Sequence, residues 1–294
     1  MNKKNIIVYT AIVFALIWTA AALFRLSGGS YQSAGGQFFA MGCMFIPLIT
    51  TIIMQLICKE KVFSKVGISW KVNGWWFAGW LLIGLLLPLL VLGASLLVPG
   101  ARFSTDNELL APVLAQINAS LPGDFKFGPF TFGAFTLVSG LIAGITINGI
   151  MAFGEEVGWR GYLLRQFKGS RFMTASLLTG IIWGLWHAPL ILLGHNYPTN
   201  PVAGVFMMIA LCLALTPMMQ YVRLKSRSVI VSAIMHGTFN AGAGITIMYL
   251  TGYNEFLTGT TGLAGILTML FVDFCLFLYD RYVTKERLFT SVLN

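Results

Sequence analysis

The strongest constraint on this chain is a series of continuous apolar runs, most of them near twenty residues long, separated by short polar connectors. An α-helix rises 1.5 Å per residue, so about 20 apolar residues cross the roughly 30 Å of bilayer hydrocarbon. Membrane-spanning β-strands would instead alternate apolar and polar residues over about ten positions, and these runs do not alternate. A chain that is 57% hydrophobic and only 10% charged is not an ordinary soluble domain. The expected fold class is all-α: a polytopic membrane helical bundle of about eight transmembrane helices. All 294 residues form one membrane-embedded domain, with no soluble linker and no internal repeat.

The runs cover roughly Ile6 to Phe24, Phe38 to Cys58, Trp75 to Val98, Phe132 to Phe153, Phe172 to Leu193, Pro201 to Tyr221, Val229 to Leu250 and Leu263 to Tyr279. The first could be a signal peptide, but its apolar stretch is long for one, so a retained helix is expected. Residues 59–74 form a basic, partly amphipathic connector expected on the membrane surface. Residues 99–130 are the longest polar stretch, with four prolines. The four cysteines lie in apolar runs without C-x-x-C spacing, which indicates buried thiols and neither disulfides nor a metal site.

Charge sets the expected orientation. Sixteen of the 19 Lys and Arg fall in the N-terminus, residues 59–74, 160–171 and 223–227, and the C-terminal tail. Eight spans put all of those on one side, and only Arg25, Arg102 and Lys126 on the other. By the positive-inside rule both termini are cytoplasmic. The same placement explains the formal charge of +9 without nucleic acid, which is not expected as a partner. The expected partners are the lipid bilayer and a peptide or membrane-anchored protein.

Only ten Asp and Glu occur, yet Glu155 and Glu156 stand side by side at the end of the fourth apolar run. An ionisable group in or near a span is costly and by default marks a functional site. Neighbours on a helix differ by about 100° in direction, so the two carboxylates cannot face one point. Glu156 and Arg160, at i and i+4, can pair. That leaves Glu155 facing a reaction centre, with Glu156 and Arg160 fixing the helix end near the cytoplasmic side. His187 lies in the fifth span. His236 and Asn240 in the seventh are also at i and i+4, so they share a face. An Asn and a His can donate to an oxyanion, and a carboxylate and a histidine sharing a water make a general-base site. The set suits hydrolysis of a peptide bond in a membrane-embedded cavity. Taken singly, each group has a structural reading: a salt-bridged helix end, a core histidine, interhelical hydrogen-bonding glue. Three such groups on three helices are harder to explain that way. His195 and Asp273 carry no functional expectation. By depth along their helices, His187 and His236 converge only if the fifth span begins outside the membrane or tilts strongly.

The order Glu155-Glu156-x-x-x-Arg160, Trp183-x-x-x-His187, His236-x-x-x-Asn240 resembles the three motifs of the CAAX-protease and bacteriocin-processing (CPBP or Abi) membrane family, the type II CAAX prenyl endopeptidases. The motifs span residues 155–240, within an expected catalytic core of 131–250. The resemblance implies an intramembrane endopeptidase with a site open to the cytoplasm. It implies that Glu155 and His187 activate water and that His236 and Asn240 stabilise the oxyanion. Trp183 departs from the family's more usual Phe, which puts substrate fit in question. Glu155, His187 and His236 are also a conceivable Zn2+ set, but the compact H-E-x-x-H arrangement is absent, so no metal or other cofactor is expected. The alternatives are a non-catalytic immunity or assembly factor of the same family, and a proton-coupled transporter, which paired broken helices in two repeated halves would favour. A bacterial cytoplasmic membrane is the expected location.

Overall fold

The computed structural model describes residues 1–293. The membrane-length helices fall where the apolar runs predict them: α1 (Lys3–Leu26), α2 (Ala34–Ile57) and α3 (Gly74–Ser95) come first. A short helix, α4 (Leu110–Ser120), follows in the polar stretch. Then come the bent pair α5 (Pro129–Ile145) and α6 (Ile147–Gln166), and α7 (Phe172–Leu192), α8 (Pro201–Ser226), α9 (Val229–Met248) and α10 (Leu263–Thr284). Seven single helices are long and apolar enough to cross a membrane, and the bent pair makes eight if it is one span. The all-α membrane bundle is thus borne out. The only strands among the described residues are β1 (Arg102–Phe103) and β2 (Leu250–Thr251), an antiparallel pair that ties two loops together.

One boundary differs from the sequence expectation. The fourth apolar run stops at Phe153, but the helix does not. It continues as α6 to Gln166, passing through a π-helical turn at Val157–Leu163 immediately after the glutamates. Insertions of this kind often accompany functional sites. Glu155 is therefore eleven residues, roughly 16 Å of helix at 1.5 Å per residue, from the α6 C-terminus. The helix that the apolar pattern treats as one piece breaks at Thr146, where the chain turns by 49° between α5 and α6. This is the one pair bent by more than 40° among the described residues, so sharply broken helices in two matching halves, as in a transporter, are not seen.

The bend packs against α9 through glycines. A Cβ on Gly144 would lie 1.9 Å from the Thr238 hydroxyl, and one on Gly237 would lie 2.6 Å from the Gly149 backbone nitrogen. Only hydrogen fits at either place. Small residues at helix crossings in membranes let backbones approach this closely. The crossing brings His236, next to Gly237, against the middle of α6.

Both termini gather at one end of the bundle. The Met1 amino group donates to the Lys168 carbonyl, Asn2 N–H to Gln166 O at 2.8 Å, and Gly169 N–H to Leu293 O at 2.8 Å. The basic connector joins them: Val66 is buried, and Gly67 O accepts from Val229 N–H at 2.9 Å. It is a folded loop, without helix before Gly74. At the opposite end, the loops after α1, α7 and α9 meet. Tyr31 reaches His195 there, and the Tyr197 hydroxyl donates to Thr261 O at 2.7 Å.

α1 presents Tyr9, Val13 and Ile17, all fully buried, to the core. Tyr9 packs edge-on against Trp159 and stacks on Tyr162 of α6. The first helix is therefore built into the bundle behind the glutamates.

Candidate active site

The two acids diverge, as helical geometry requires, and each has its own partners. Glu156 is fully buried. One of its oxygens, Oε1, accepts from Arg160 Nη1 at 2.9 Å and from His236 Nδ1 at 3.0 Å. Arg160 also donates to the Thr216 hydroxyl on α8 at 3.3 Å, and its guanidinium lies 4.4 Å over the Trp183 ring. Glu156 thus pairs with Arg160 and also holds His236 by its inner nitrogen. A carboxylate only accepts, so Nδ1 carries the hydrogen, and Nε2 is the free end of the ring.

Glu155 is 2% exposed, and its Oε2 accepts two indole N–H groups, from Trp183 at 2.7 Å and Trp159 at 3.3 Å. No described residue donates to Oε1. Trp159 was missed in the sequence, although it stands at i+4 from Glu155, the same spacing that links Glu156 to Arg160.

His187 sits at a break in α7. Pro189, two residues on, has no N–H to give the Leu185 carbonyl, so the helix pauses before Ala188. The ring turns back along its own helix, and Nδ1 donates to the Trp183 carbonyl at 2.9 Å, again leaving Nε2 free. This backward reach helps bring His187 towards the level of His236 with α7 starting at Phe172. Trp183 is the shared neighbour: its ring centroid is 5.8 Å from that of His187 and 5.3 Å from that of His236.

Glu155, Trp183, His187, His236 and Asn240 line one cavity of about 300 Å³, whereas Glu156 and Arg160 lie beneath it. Its apolar wall comes from Met41, Met44, Met208, Leu211 and Phe239. His195 lines it too, although its loop position gave no functional signal. The Tyr31 hydroxyl is 2.6 Å from His195 Nδ1, and the His195 ring lies parallel to that of His187 with centroids 6.4 Å apart. Burial pulls the His195 imidazole down to about 4, so it is neutral near pH 7 and accepts from the phenol. Asp273 is elsewhere, buried beside a groove of about 570 Å³ between α7, α8 and α10, with no hydrogen-bond partner for either oxygen among the described residues.

The cavity lies in the half of the bundle away from the termini. Its rim includes Tyr31, Gln37, Asn196 and Thr261, from the loops at that end and the start of α2. Mouth and termini are thus at opposite ends. Cytoplasmic termini and a cytoplasmic opening, both expected from the sequence, cannot hold together.

The zinc alternative fits poorly. No group of three or more His, Cys, Asp or Glu among the described residues is arranged to hold one ion.

Fold and site together define an integral membrane protein with a buried Glu/His/Asn centre. Residues 129–242 match the family model for Rce1-like type II CAAX prenyl endopeptidases, and the resemblance read from the three motifs is borne out. A curated relative, CAAX prenyl protease 2 of Methanococcus maripaludis, is 27% identical over 186 residues. That match covers 60% of this chain and 65% of the relative, just under two thirds of its length.

Proposed function

We propose that the chain is an intramembrane endopeptidase that hydrolyses a peptide bond of a membrane-associated peptide or protein. The observation that carries this reading is the convergence of Glu155, His187, His236 and Asn240 from three helices on one cavity. In this scheme Glu155 Oε1 takes a proton from a water held with His187 Nε2, and the resulting hydroxide attacks the scissile carbonyl; the tetrahedral intermediate then collapses, the C–N bond breaks, and Glu155 returns the proton to the leaving amine. The developing oxyanion is met by the Asn240 amide and by His236 Nε2–H. With Nδ1–H committed to Glu156, His236 donates from Nε2 as imidazolium. In that form Glu155, Glu156, Arg160 and His236 sum to zero charge, which suits groups buried in the bundle. The membrane concerned is proposed to be a bacterial cytoplasmic membrane. The name of the relative, CAAX prenyl protease 2, supports a protease.

The test is a comparison of membrane peptidomes from cells carrying the wild type and Glu155→Ala. Peptides or uncut precursors that differ between the two support the enzyme. Indistinguishable peptidomes would point to a non-catalytic immunity or assembly role.

Two further outcomes are expected. No step of the scheme uses a metal ion, so activity should survive a strong chelator; loss that added zinc restores would overturn this. Trp183→Phe keeps an aromatic wall but removes the shorter N–H bond to Glu155. Bonds to charged groups contribute about 1.5–3 kcal/mol, so kcat/KM should fall roughly tenfold or more. An unchanged value would mean that Trp183 serves only as wall.

A further inference from the structure

We infer that the substrate reaches Glu155 from the non-cytoplasmic side of the membrane. This rests on the endopeptidase reading for the word substrate, but not for the geometry. Two observations combine. First, the cavity is closed towards the termini and open away from them. Beneath its floor lie Glu156, Trp159, Arg160 and Thr216, none more than 1% exposed, and below them α6 runs on to Gln166. On the rim, Gln37 and Asn196 are exposed. Second, fifteen of the 19 Lys and Arg belong to the segments gathered at the termini end, Arg160 being inside the bundle. Basic residues in short loops are retained on the cytoplasmic side. The closed end is therefore the cytoplasmic one, and the mouth faces outward.

The lining agrees with entry from that side by a segment without charged side chains. Apart from Glu155 and the histidines, every lining residue is uncharged. A Lys or Asp carried in would lose its hydration and could regain an opposite charge only from Glu155 or His236, the groups the reaction needs. The methionines in the wall can adapt to apolar side chains of different shape.

Cysteine accessibility tests the sidedness without requiring any activity, so its failure and failure of the peptidase reading are separate results. Asn196→Cys and Lys168→Cys would each be treated with a charged, membrane-impermeant maleimide on intact cells and again after permeabilisation. The wild type gives the background from its four thiols, of which Cys43 and Cys212 are buried. Asn196→Cys should label several-fold above background on intact cells, and Lys168→Cys only after permeabilisation. Gln37→Cys is the second rim variant if Asn196→Cys does not accumulate. The reverse pattern, or rim positions that label only after permeabilisation, would overturn the inference.

Discussion

Glu156→Ala should destabilise the protein by about 3–5 kcal/mol, the usual cost of leaving a buried ion-pair partner uncompensated. Arg160 is 1% exposed, and its other contacts, Thr216 and the Trp183 face, carry no negative charge. His236 also loses the acceptor for Nδ1. Thermal unfolding in detergent micelles would show this as a lower midpoint. The double variant Glu156→Ala/Arg160→Leu removes the stranded charge and should recover part of the loss, because replacing a whole buried pair by apolar groups is often close to neutral. Activity should not recover with it, since His236 remains without its positioning partner. If the double variant is no more stable than the single, the penalty does not come from the unpaired guanidinium.

Glu155→Gln should do the opposite: fold normally and lose activity. The amide oxygen of Gln can keep both indole donors, from Trp183 and Trp159, so the local packing survives. The amide cannot accept a proton from water. Removing a general base costs about 10²–10⁴ in rate, to be read as kcat on a precursor identified from the peptidome comparison, with the unfolding midpoint measured alongside. A variant that folds and retains near-normal kcat would exclude Glu155 as the base. The contrast between two adjacent glutamates is the sharpest test of the site, because a general disturbance of the helix would affect both alike.

Much of this was legible because it is local. Apolar runs gave the spans to within a few residues. The spacing of four gave Glu156 with Arg160, and put His236 and Asn240 on one face. The errors came where a local signal was overridden by contacts far along the chain. The fourth span seemed to end at Phe153 because charges followed it. Those charges are satisfied inside the bundle, Glu156 by Arg160 and by His236 eighty residues on, and Glu155 by hydrogen bonds that include one from Trp183 twenty-eight residues on, so the helix continues. The His195 loop carried no periodicity to read, and its partner Tyr31 is 164 residues away. In the polar stretch, Leu110, Val113, Leu114 and Ile117 do follow helical spacing and pack together in α4, but the surrounding prolines and acids hid them.

The glycine crossing has a mechanical consequence. Where α9 meets the bend between α5 and α6 the contact is backbone against backbone at Gly237 and backbone against side chain at Gly144, with no flexible side chain as a spacer. Such a joint is incompressible. Lateral pressure from the surrounding lipid, which varies with bilayer composition, can tilt the rods about that point but cannot bring them closer. His236 and Glu156 lie close to this fulcrum, where a given tilt produces the least displacement, so their separation is buffered against the membrane in which the protein sits.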